Sequence, residues 1–343
     1  MTDAQKRLAT LIKQKQDKLE GKLGLIPFYH HLPKLSSVIP GIFRQSMTTL
    51  LASTGTGKSK MSKFCTILIP YWLQKKENLE YKIIYFALEE SKDQFIDSIF
   101  VLLLNTKYGL EVNYSELNSY TKDALSDDVF GKMAEVSHLV DEILEHVIII
   151  DDQTNPTGLY KTCLHYLRQW GEMEEGVYTP HNPNQQVVVV CDHVSLISRE
   201  KDNELGITLS QAQAMAKWST HYCLKYLTKV FGCAVWNVQQ TTMTSEGVDN
   251  IKTNTLEPSM SDVANNKEIV RDSTLVMALF SPYKNRIKLY RGFDIVRLGD
   301  SFVNLGVIKN RYGPTHVNIP LYFDGVTGLY KEISKAEQAN YFK

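Results

Sequence analysis

The residues TTLLASTGTGKS at positions 48–59 decide the fold that the sequence predicts. A short apolar strand leads into a glycine loop, and a helical pattern begins directly after it, at Lys58. This order is typical of a P-loop, because glycines let backbone N–H groups turn toward an anion at a helix N-terminus. Ala52 stands where the strict pattern has its first glycine, and alanine is small enough for that turn. The stretch therefore predicts a phosphate-binding loop.

Strand and helix patterns alternate after this loop. Apolar, β-branched runs at 82–88, 146–151, 186–192 and 233–238 are separated by stretches with helical periodicity. Such runs are typical of parallel strands in a sheet that helices cover on both faces. Four later runs have no helices between them, and we interpret them as antiparallel strands: STLVMALF, RIKLYR, VNLGVIKN and THVNIPLYF. The prediction is an α/β fold with a mostly parallel central sheet and antiparallel C-terminal strands.

The N-terminal segment is predicted to form a separate helix. Leu8, Leu11 and Leu19 recur at roughly helical spacing among polar residues. This apolar stripe is too narrow to make a core alone, so we expect the helix to pack on the main domain or on a neighbouring subunit. The predicted organisation is a linker helix with its connector over 1–30 and one α/β domain over 31–343.

The composition bounds the class of protein. The 343 residues carry 38 basic and 38 acidic side chains, with 43% hydrophobic residues, which excludes a disordered or collagen-like chain. A formal charge of zero means that any nucleic-acid binding must come from local patches. The five cysteines form no C-x-x-C pair, and no apolar run approaches the length of a membrane span. We therefore expect reduced thiols, no membrane and a cytoplasmic protein.

Polar residues beside the loop and at a strand end suggest a nucleotide site that uses ATP and Mg²⁺. Lys58 is expected to reach the β- and γ-phosphates, and the Ser59 hydroxyl to bind Mg²⁺. Asp192 ends an apolar strand, where ligands bind in open α/β sheets, and is the candidate for a second Mg²⁺ carboxylate. Asp151 and Asp152 compete for that role, but they precede an Asn-Pro pair, so we favour a turn and helix cap for them.

Hydrolysis needs a group that orients the attacking water. Glu89 and Glu90 end the run IIYFAL, and a carboxylate there can do this if its strand lies beside the P-loop strand, as we expect. The alternative is a pair of acids that favour a helix start. Gln239 and Gln240 end the run CAVWNV and suit a γ-phosphate sensor, with solvated polar residues as the alternative.

The segment VIKNRYGP near the C-terminus carries two further cations. Lys309 and Arg311 are two residues apart, so a strand places them on one face. Next to a Gly-Pro turn, they can reach a phosphate on another subunit as an arginine finger does. The alternative is a solvated sheet edge.

These motifs stand in the order found in the ATPase domain of DnaB-type replicative helicases, within the RecA-like superfamily. The chain from about residue 32 to 332 resembles that domain, most specifically in SMSDVANNKEIVRDSTLVMALF and IKNRYGPTHVNIPLYFDG. The resemblance implies a RecA-like P-loop domain that forms a homo-oligomer, a hexameric ring with ATP between its subunits. It also implies translocation on single-stranded DNA with replicative 5′–3′ unwinding.

The resemblance assigns roles residue by residue. Glu89 matches the catalytic carboxylate, Asp192 the Mg²⁺-site acid and Gln239 the γ-phosphate sensor. Lys309 and Arg311 match the residues that act on the next subunit's ATP. The nucleotide-binding residues that it implies are Thr54, Gly55, Thr56, Gly57, Lys58, Ser59 and Lys60.

Candidate DNA contacts lie in two predicted loops, 198–208 and 241–267. They contain carboxylates as well as cations, and no aromatic residues interleave, so base stacking is not indicated there. Ala264 replaces a cation that the family carries, although Lys267 lies close in sequence. The candidate cations are Arg199, Lys201, Lys252 and Lys267.

The chain also departs from the bacterial helicases. Only about 30 residues precede the region of resemblance, so we expect a minimal form without the helical N-terminal collar, of the kind that a phage or a mobile element could encode. The N-terminal helix resembles the linker helix that docks on a neighbouring subunit. A primase or a helicase loader is a possible partner, in a bacterial cell or a phage-infected host. The alternatives are a KaiC-like regulatory ATPase, which the adjacent Glu89 and Glu90 resemble, and a RecA-like recombinase.

Overall fold

A computed structural model describes residues 2–22, 24–77, 79–202, 206–241, 257–263 and 267–342. Its helices are α1 (Asp3–Leu19), α2 (Pro33–Ser36), α3 (Lys58–Lys63), α4 (Ile69–Glu77), α5 (Lys92–Tyr108), α6 (Tyr114–Leu117), α7 (Asp127–Leu144), α8 (Pro156–Trp170), α9 (Gln211–Ala216), α10 (Glu268–Asp272) and α11 (Ile295–Leu298). Two π-helical stretches, Phe64–Leu68 and Lys217–Thr228, continue α3 and α9.

The strands of the described residues form one large sheet and four two-stranded antiparallel sheets. They are β1 (Leu25–Pro27), β2 (Gly41–Phe43), β3 (Met47–Ala52), β4 (Tyr81–Ala87), β5 (Val147–Ile150), β6 (Gly171–Glu174), β7 (Val177–Pro180), β8 (Gln186–Asp192), β9 (Lys201–Asp202), β10 (Ile207–Thr208), β11 (Ala234–Gln240), β12 (Leu275–Phe280), β13 (Leu289–Tyr290), β14 (Phe293–Asp294), β15 (Phe302–Asn310), β16 (Val317–Phe323) and β17 (Tyr330–Glu332).

The central sheet has nine strands in the order β17-β16-β15-β12-β3-β11-β8-β4-β5. The strands from β12 to β5 run parallel, and β15, β16 and β17 are antiparallel additions. The predicted fold class, a mostly parallel sheet with antiparallel C-terminal strands, is therefore confirmed. The parallel strands end at one edge of the sheet, which gathers the polar residues that follow them.

Two of the four strand runs after residue 270 differ from the prediction. STLVMALF forms β12, which pairs parallel with β3, because the chain crosses over between β11 and β12 and returns in the same direction. In RIKLYR only Leu289–Tyr290 pairs, in a hairpin with Phe293–Asp294 outside the central sheet. Its polar residues cannot occupy a strand that is buried on both faces.

The strand that precedes Glu89 does not lie beside the P-loop strand. β11 and β8 separate β3 from β4, so this expectation was wrong. Apolar β-branched runs show which segments are central strands, but all of them fit any central position. Their spatial order depends on how the crossover helices pack, and the composition of the strands does not encode it.

Two apolar layers cover the central sheet. One face packs against α3, α4, α5 and α7, and the other against α8 and the stretch Lys217–Thr228. In the second layer Trp218 is fully buried, and its indole N–H donates to Asn237 Oδ1 at 3.0 Å. These layers hold the parallel strands rigid beneath the polar edge.

The helix α1 stands apart from both layers. It buries none of its residues, and Leu8, Leu11, Ile12 and Leu19 are 45–79% exposed. A Thr2 capping box closes its N-terminus, so the helix is locally well formed without core contacts. The predicted apolar stripe therefore exists and has no partner among the described residues.

No helix in the described part of the chain is both long and apolar enough to span a membrane. All five cysteines are buried free thiols.

Candidate active site

The P-loop connects β3 to α3. β3 is buried along its whole length, and the loop turns through Gly55 and Gly57 at φ values of +73° and +88°, which favour glycine. A Cβ on Gly57 would lie 2.3 Å from the Tyr330 hydroxyl, which donates to the Gly57 carbonyl at 2.8 Å. Both glycines are thus required by backbone conformation, and Gly57 also by the close approach of β17.

Lys58 and Glu89 form an ion pair at the centre of the site. Lys58 is 5% exposed, and its Nζ lies 2.9 Å from Glu89 Oε2. The neighbouring Glu90 pairs with Lys63 at 2.7 Å, and, in addition to burial, its charge helps to raise the pKa of Asp192. Of the two candidate acids, Glu89 therefore faces the P-loop, and Glu90 has a structural ion pair.

Asp192 ends β8 beside the P-loop helix. It is 2% exposed, and Tyr85 donates to its Oδ2 at 3.0 Å. Burial raises the pKa of Asp192 to about 6, although the Ser59 hydroxyl and the Lys58 ammonium nearby oppose the shift. Its Oδ1 is buried and has no hydrogen-bond partner among the described residues. A buried carboxylate oxygen of this kind is a free acceptor or metal ligand.

These residues fit Mg²⁺ as a cofactor. Mg²⁺ prefers oxygen ligands and is usually held by one or two carboxylates together with substrate phosphates. Ser59 and Asp192 supply a hydroxyl and a carboxylate with an unused oxygen at the edge where the P-loop opens. Among the described residues no group of three or more His, Cys, Asp or Glu side chains is arranged to hold a metal.

Two further residues lie at the same edge of the sheet. Gln239, the last residue but one of β11, is fully buried and donates from Nε2 to Ser195 Oγ at 3.0 Å. His193 Nε2 lies 3.8 Å from Glu89 Oε2. Burial, and then the Lys58 charge, lower the pKa of His193 to about 4, so the ring is neutral at pH 7. Sequence reasoning missed His193, although its position directly after Asp192 placed it at the same edge.

Asp151, the alternative to Asp192 as the Mg²⁺ carboxylate, accepts a hydrogen bond at a helix start instead. Its Oδ2 accepts from the backbone N–H of Lys92 at 2.7 Å, at the start of α5. Asn155 caps α8 by accepting from the Gly158 N–H at 2.8 Å. The structure thus places Asp151 and Asn155 at helix starts, where side-chain oxygens satisfy unpaired N–H groups.

Two other lysines lie near the P-loop. Lys60 was expected to bind the nucleotide, and Lys284 was not identified from the sequence. Lys60 donates to the carbonyls of Gly325 and Val326, so its ammonium faces the β16–β17 turn. Lys284, which follows β12 and which sequence reasoning missed, donates to the Thr54 carbonyl at 3.1 Å. A Cβ on Gly55 would lie 2.4 Å from the Lys284 ammonium. Lys284 therefore lies directly over the loop.

A cavity of about 620 Å³ opens beside Lys284. The lining residues include Gly55, Thr56, Ser281, Ser301 and Phe323. Thr56 is 2% exposed and donates to the Ser53 carbonyl at 2.7 Å, which holds the loop in its folded form. Three carboxylates, Glu111, Asp300 and Asp324, also line this cavity, so it adjoins the P-loop but is not selective for an anion.

Lys309 and Arg311 lie together, away from the P-loop of their own chain. Lys309 Nζ donates to the carbonyls of Val270 and Arg271 at 3.0 and 2.7 Å, and Arg311 Nη2 donates to Arg271 O at 3.3 Å. Burial, and then the neighbouring Arg311, lower the pKa of Lys309. Both cations thus hold the C-terminal carbonyls of α10, where the helix dipole is negative.

The candidate DNA contacts are only partly placed. Arg199 and Lys201 are exposed at the start of a small hairpin, β9–β10, and Lys267 is exposed at the N-terminus of α10. Lys252 lies outside the described residues, as do the residues 264–266. The structure does not bring Arg199, Lys201 and Lys267 into contact with one another.

Comparison with known proteins supports the fold. The ATPase domain of G40-P shares it with a TM-score of 0.69 over 97% of this chain and 100% of that chain, at 14% identity. A DnaB-like replicative helicase, solved in a study of its interactions with primase, gives a TM-score of 0.67 over 96% of this chain and 66% of that chain, also at 14% identity. No protein-family model matches the sequence. No curated protein matches it either.

The chain has the fold of these helicase ATPase domains and carries a P-loop at the carboxyl edge of its sheet. The resemblance to the ATPase domain of DnaB-type replicative helicases, expected from the motifs, is confirmed at the level of the fold. At 14% identity the similarity shows a shared fold. The roles of single residues depend on the geometry described above.

Removal of the Lys284 ammonium should weaken nucleotide binding. Lys284→Ala deletes the bond to Thr54 and the cation over the loop, so we expect the Kd for ATP to rise about tenfold, the cost of one charged hydrogen bond. Titration with a fluorescent ATP analogue measures this. Lys284→Arg should retain most of the affinity, and Lys288→Ala, an exposed lysine nearby, is the matched control. Equal affinities for Lys284→Ala and Lys288→Ala would contradict the assignment.

Proposed function

We propose that this chain is an ATP-dependent translocase on single-stranded DNA, and specifically a replicative 5′–3′ helicase that acts as a homohexameric ring. The observation that carries the proposal is the contact of Lys58 with Glu89 beside Ser59 and Asp192, at the carboxyl edge of a sheet shared with helicase ATPase domains. These residues provide a phosphate cradle, a water-orienting acid and a place for Mg²⁺.

The ion pair gives the proposed hydrolysis a first step. Lys58 leaves Glu89 when it binds the β- and γ-phosphates, because a triphosphate carries more negative charge than one carboxylate. Glu89, 45% exposed at its side chain, is then free to orient the attacking water. Ser59 and Asp192 would hold Mg²⁺, which neutralises charge on the phosphates. Gln239, at the end of β11, is the proposed sensor of the γ-phosphate.

A homo-oligomer completes the site in this proposal. Lys309 and Arg311 lie away from the P-loop of their own chain. We therefore propose that they contact the ATP bound to a neighbouring subunit. Charge supports self-association: α1 carries five basic and two acidic side chains, whereas residues 92–145, which include α5 and α7, carry four lysines and eleven carboxylates. The exposed leucines of α1 add an apolar stripe to this complementarity. We propose that α1 docks on a neighbouring subunit.

The proposed DNA contacts are Arg199, Lys201, Lys252 and Lys267. Six copies of a few cations around a pore are enough to grip phosphates without a strongly basic chain. A primase or a helicase loader is proposed as a partner, because one structure with this fold belongs to a helicase studied with primase. The proposed place of action is the cytoplasm of a bacterial cell or a phage-infected host.

The steady-state ATPase rate with and without single-stranded DNA tests the function. We expect strong stimulation by DNA, because the helicase assignment couples pore contacts to hydrolysis. Forked duplexes of both polarities then show unwinding and its direction. Turnover that is indifferent to DNA would favour the KaiC-like regulatory ATPase, and DNA-stimulated turnover with filaments and strand exchange would favour the recombinase.

Glu89→Gln should abolish turnover and preserve ATP binding. Loss of the water-orienting carboxylate is expected to lower kcat by at least about a hundredfold. The Kd for ATP should stay equal or fall, because Lys58 no longer has a carboxylate that competes with phosphate. Glu90→Gln is the matched control, since its partner is Lys63. Normal turnover in Glu89→Gln, or equal losses in the two variants, would contradict the assignment.

Arg311→Ala should inactivate neighbours as well as itself. Loss of a finger in trans lowers the rate by about 10³–10⁵-fold at each affected interface. In mixtures with wild type, the ATPase rate should therefore fall more steeply than the wild-type fraction. Arg286→Ala, another exposed arginine, serves as control. A loss that is linear in the variant fraction would count against a role in trans.

A further inference from the structure

One helical face of the molecule carries cations and aromatic rings but no carboxylate of its own. It is formed by α8 and by the stretch from α9 through Lys217–Thr228, and neither 156–170 nor 211–229 contains Asp or Glu. We call this surface the basic aromatic face. Its cations are Lys161, Arg168, Lys217, Lys225 and Lys229, all of them exposed except Lys217, which is half-buried.

Four rings form a continuous cluster on this face. Tyr160 stacks on Tyr222 with centroids 4.6 Å apart, and Tyr226 lies 5.5 Å from Tyr160. His221 packs 5.2 Å from Tyr226, and the Lys225 ammonium lies 5.2 Å from the centre of the Tyr226 ring. His221 is exposed and Tyr226 half-exposed, so part of the cluster faces solvent.

Two carboxylates of neighbouring segments, Glu200 and Asp272, contact this face, and the first of them is paired with a lysine of the face. Glu200 lies 2.5 Å from Lys217 and accepts from the Thr157 N–H at 3.1 Å. Burial raises the pKa of Glu200, but Lys217 and Thr157 outweigh it and hold the pKa below its usual value. Asp272 accepts from the hydroxyls of Ser219 and Thr220. Asp272 keeps its negative charge, but the exposed cations of the face outnumber it, so the face keeps a net positive charge.

The face is continuous with a candidate DNA segment. A cavity of about 810 Å³ lies where it meets the segment after β8, with Thr157, Lys161, Lys201 and His221 among its lining residues. The Ser198 N–H donates to the Thr154 carbonyl at 3.0 Å, which fixes the start of that segment against α8. A strand held at Lys201 would thus pass directly onto this face.

We propose that the basic aromatic face is a second binding surface for single-stranded DNA, outside the predicted pore loops. Lys161 and Lys225 contact phosphates, and His221 and Tyr226 stack bases. The inference rests on the proposed function, because it extends the DNA path from Lys201. Solvent-facing rings favour a single strand over a duplex, whose bases are already stacked. Lysines alone would bind the acidic segment 92–145 of a second copy equally well. The exposed rings therefore favour DNA as the occupant.

The first test is the salt dependence of binding to a fluorescein-labelled oligo(dT), followed by anisotropy with the full-length protein. Each phosphate contact that is lost lowers the slope of log K against log[salt] by roughly 0.7 for a single strand. The double variant Lys161→Ala/Lys225→Ala should therefore lose about 1.4 from the slope. The double variant Lys107→Ala/Lys132→Ala removes an exposed lysine from α5 and a half-buried one from α7, and it should keep the wild-type slope. Equal slopes in both double variants would overturn the proposal.

The second test separates stacking from charge. His221→Leu/Tyr226→Leu should weaken binding by roughly fivefold to a hundredfold, because base stacking on a ring is lost, while the salt slope stays unchanged. Irradiation of an oligonucleotide that carries 5-iododeoxyuridine should crosslink to the peptide that contains Tyr226. Unchanged affinity together with no crosslink to that peptide would overturn the stacking contact.

Parallel measurements keep this inference separate from the proposed function. If wild type binds no single strand and its ATPase ignores DNA, the proposed function fails and the inference fails with it. If wild type binds and is stimulated, but Lys161→Ala/Lys225→Ala matches it in slope, only the inference fails. Mass photometry of the same variant gives the last outcome: a changed subunit number with an unchanged slope would make this face a contact between copies and overturn the proposal.

Discussion

The ion pair between Lys58 and Glu89 is the contact on which the site depends. The Lys58 side chain is only 6% exposed, and a cation so far removed from water requires an anion beside it. Glu89 meets that need from β4, although β11 and β8 lie between β4 and the P-loop strand. The P-loop helix is therefore tied to a distant strand by charge. In the proposed mechanism a phosphate that binds Lys58 replaces Glu89, so substrate binding and release of the acid become one event.

The elements of the fold follow from local sequence, but their arrangement does not. Runs such as QVVVVCD are buried on both faces, and their composition identifies central strands. The position of β4 and the direction of β12 were mispredicted, because both depend on crossovers and not on the strands themselves. For β12 the crossover contains α10 and a segment without a clear helical pattern in the sequence. The absence of an obvious helix therefore suggested an antiparallel hairpin where the chain in fact crosses over.

The site shows the same division between local and long-range information. The P-loop, Glu89 and Asp192 were identified because each follows a strand, and parallel strands end at one edge. The Tyr160–Tyr226 ring cluster had no such marker, and Lys284 follows β12, a strand whose direction was mispredicted. Lys284 reaches Thr54 from 230 positions away, and the clustered rings come from two helices about 60 residues apart. Only tertiary packing reveals such contacts. Sequence reasoning considered DNA-binding rings only within the two predicted DNA loops, which contain no aromatic residues, so it missed the Tyr160–Tyr226 ring cluster.

The contacts of Lys309 and Arg311 connect two parts of the proposed mechanism. Both cations hold carbonyls at the end of α10, which directly follows the candidate DNA segment 241–267. In the proposed mechanism a cation that leaves for a neighbour's phosphate gives up hydrogen bonds worth about 1.5–3 kcal/mol each, unless α10 moves with it. Because linkage is reciprocal, the proposal then couples any DNA contact that shifts α10 to the affinity for the neighbour's ATP. Arg311 holds one carbonyl at 3.3 Å and Lys309 holds two at 3.0 and 2.7 Å. Arg311 therefore leaves at the lower cost, and Lys309 is the better anchor for the strand that carries it.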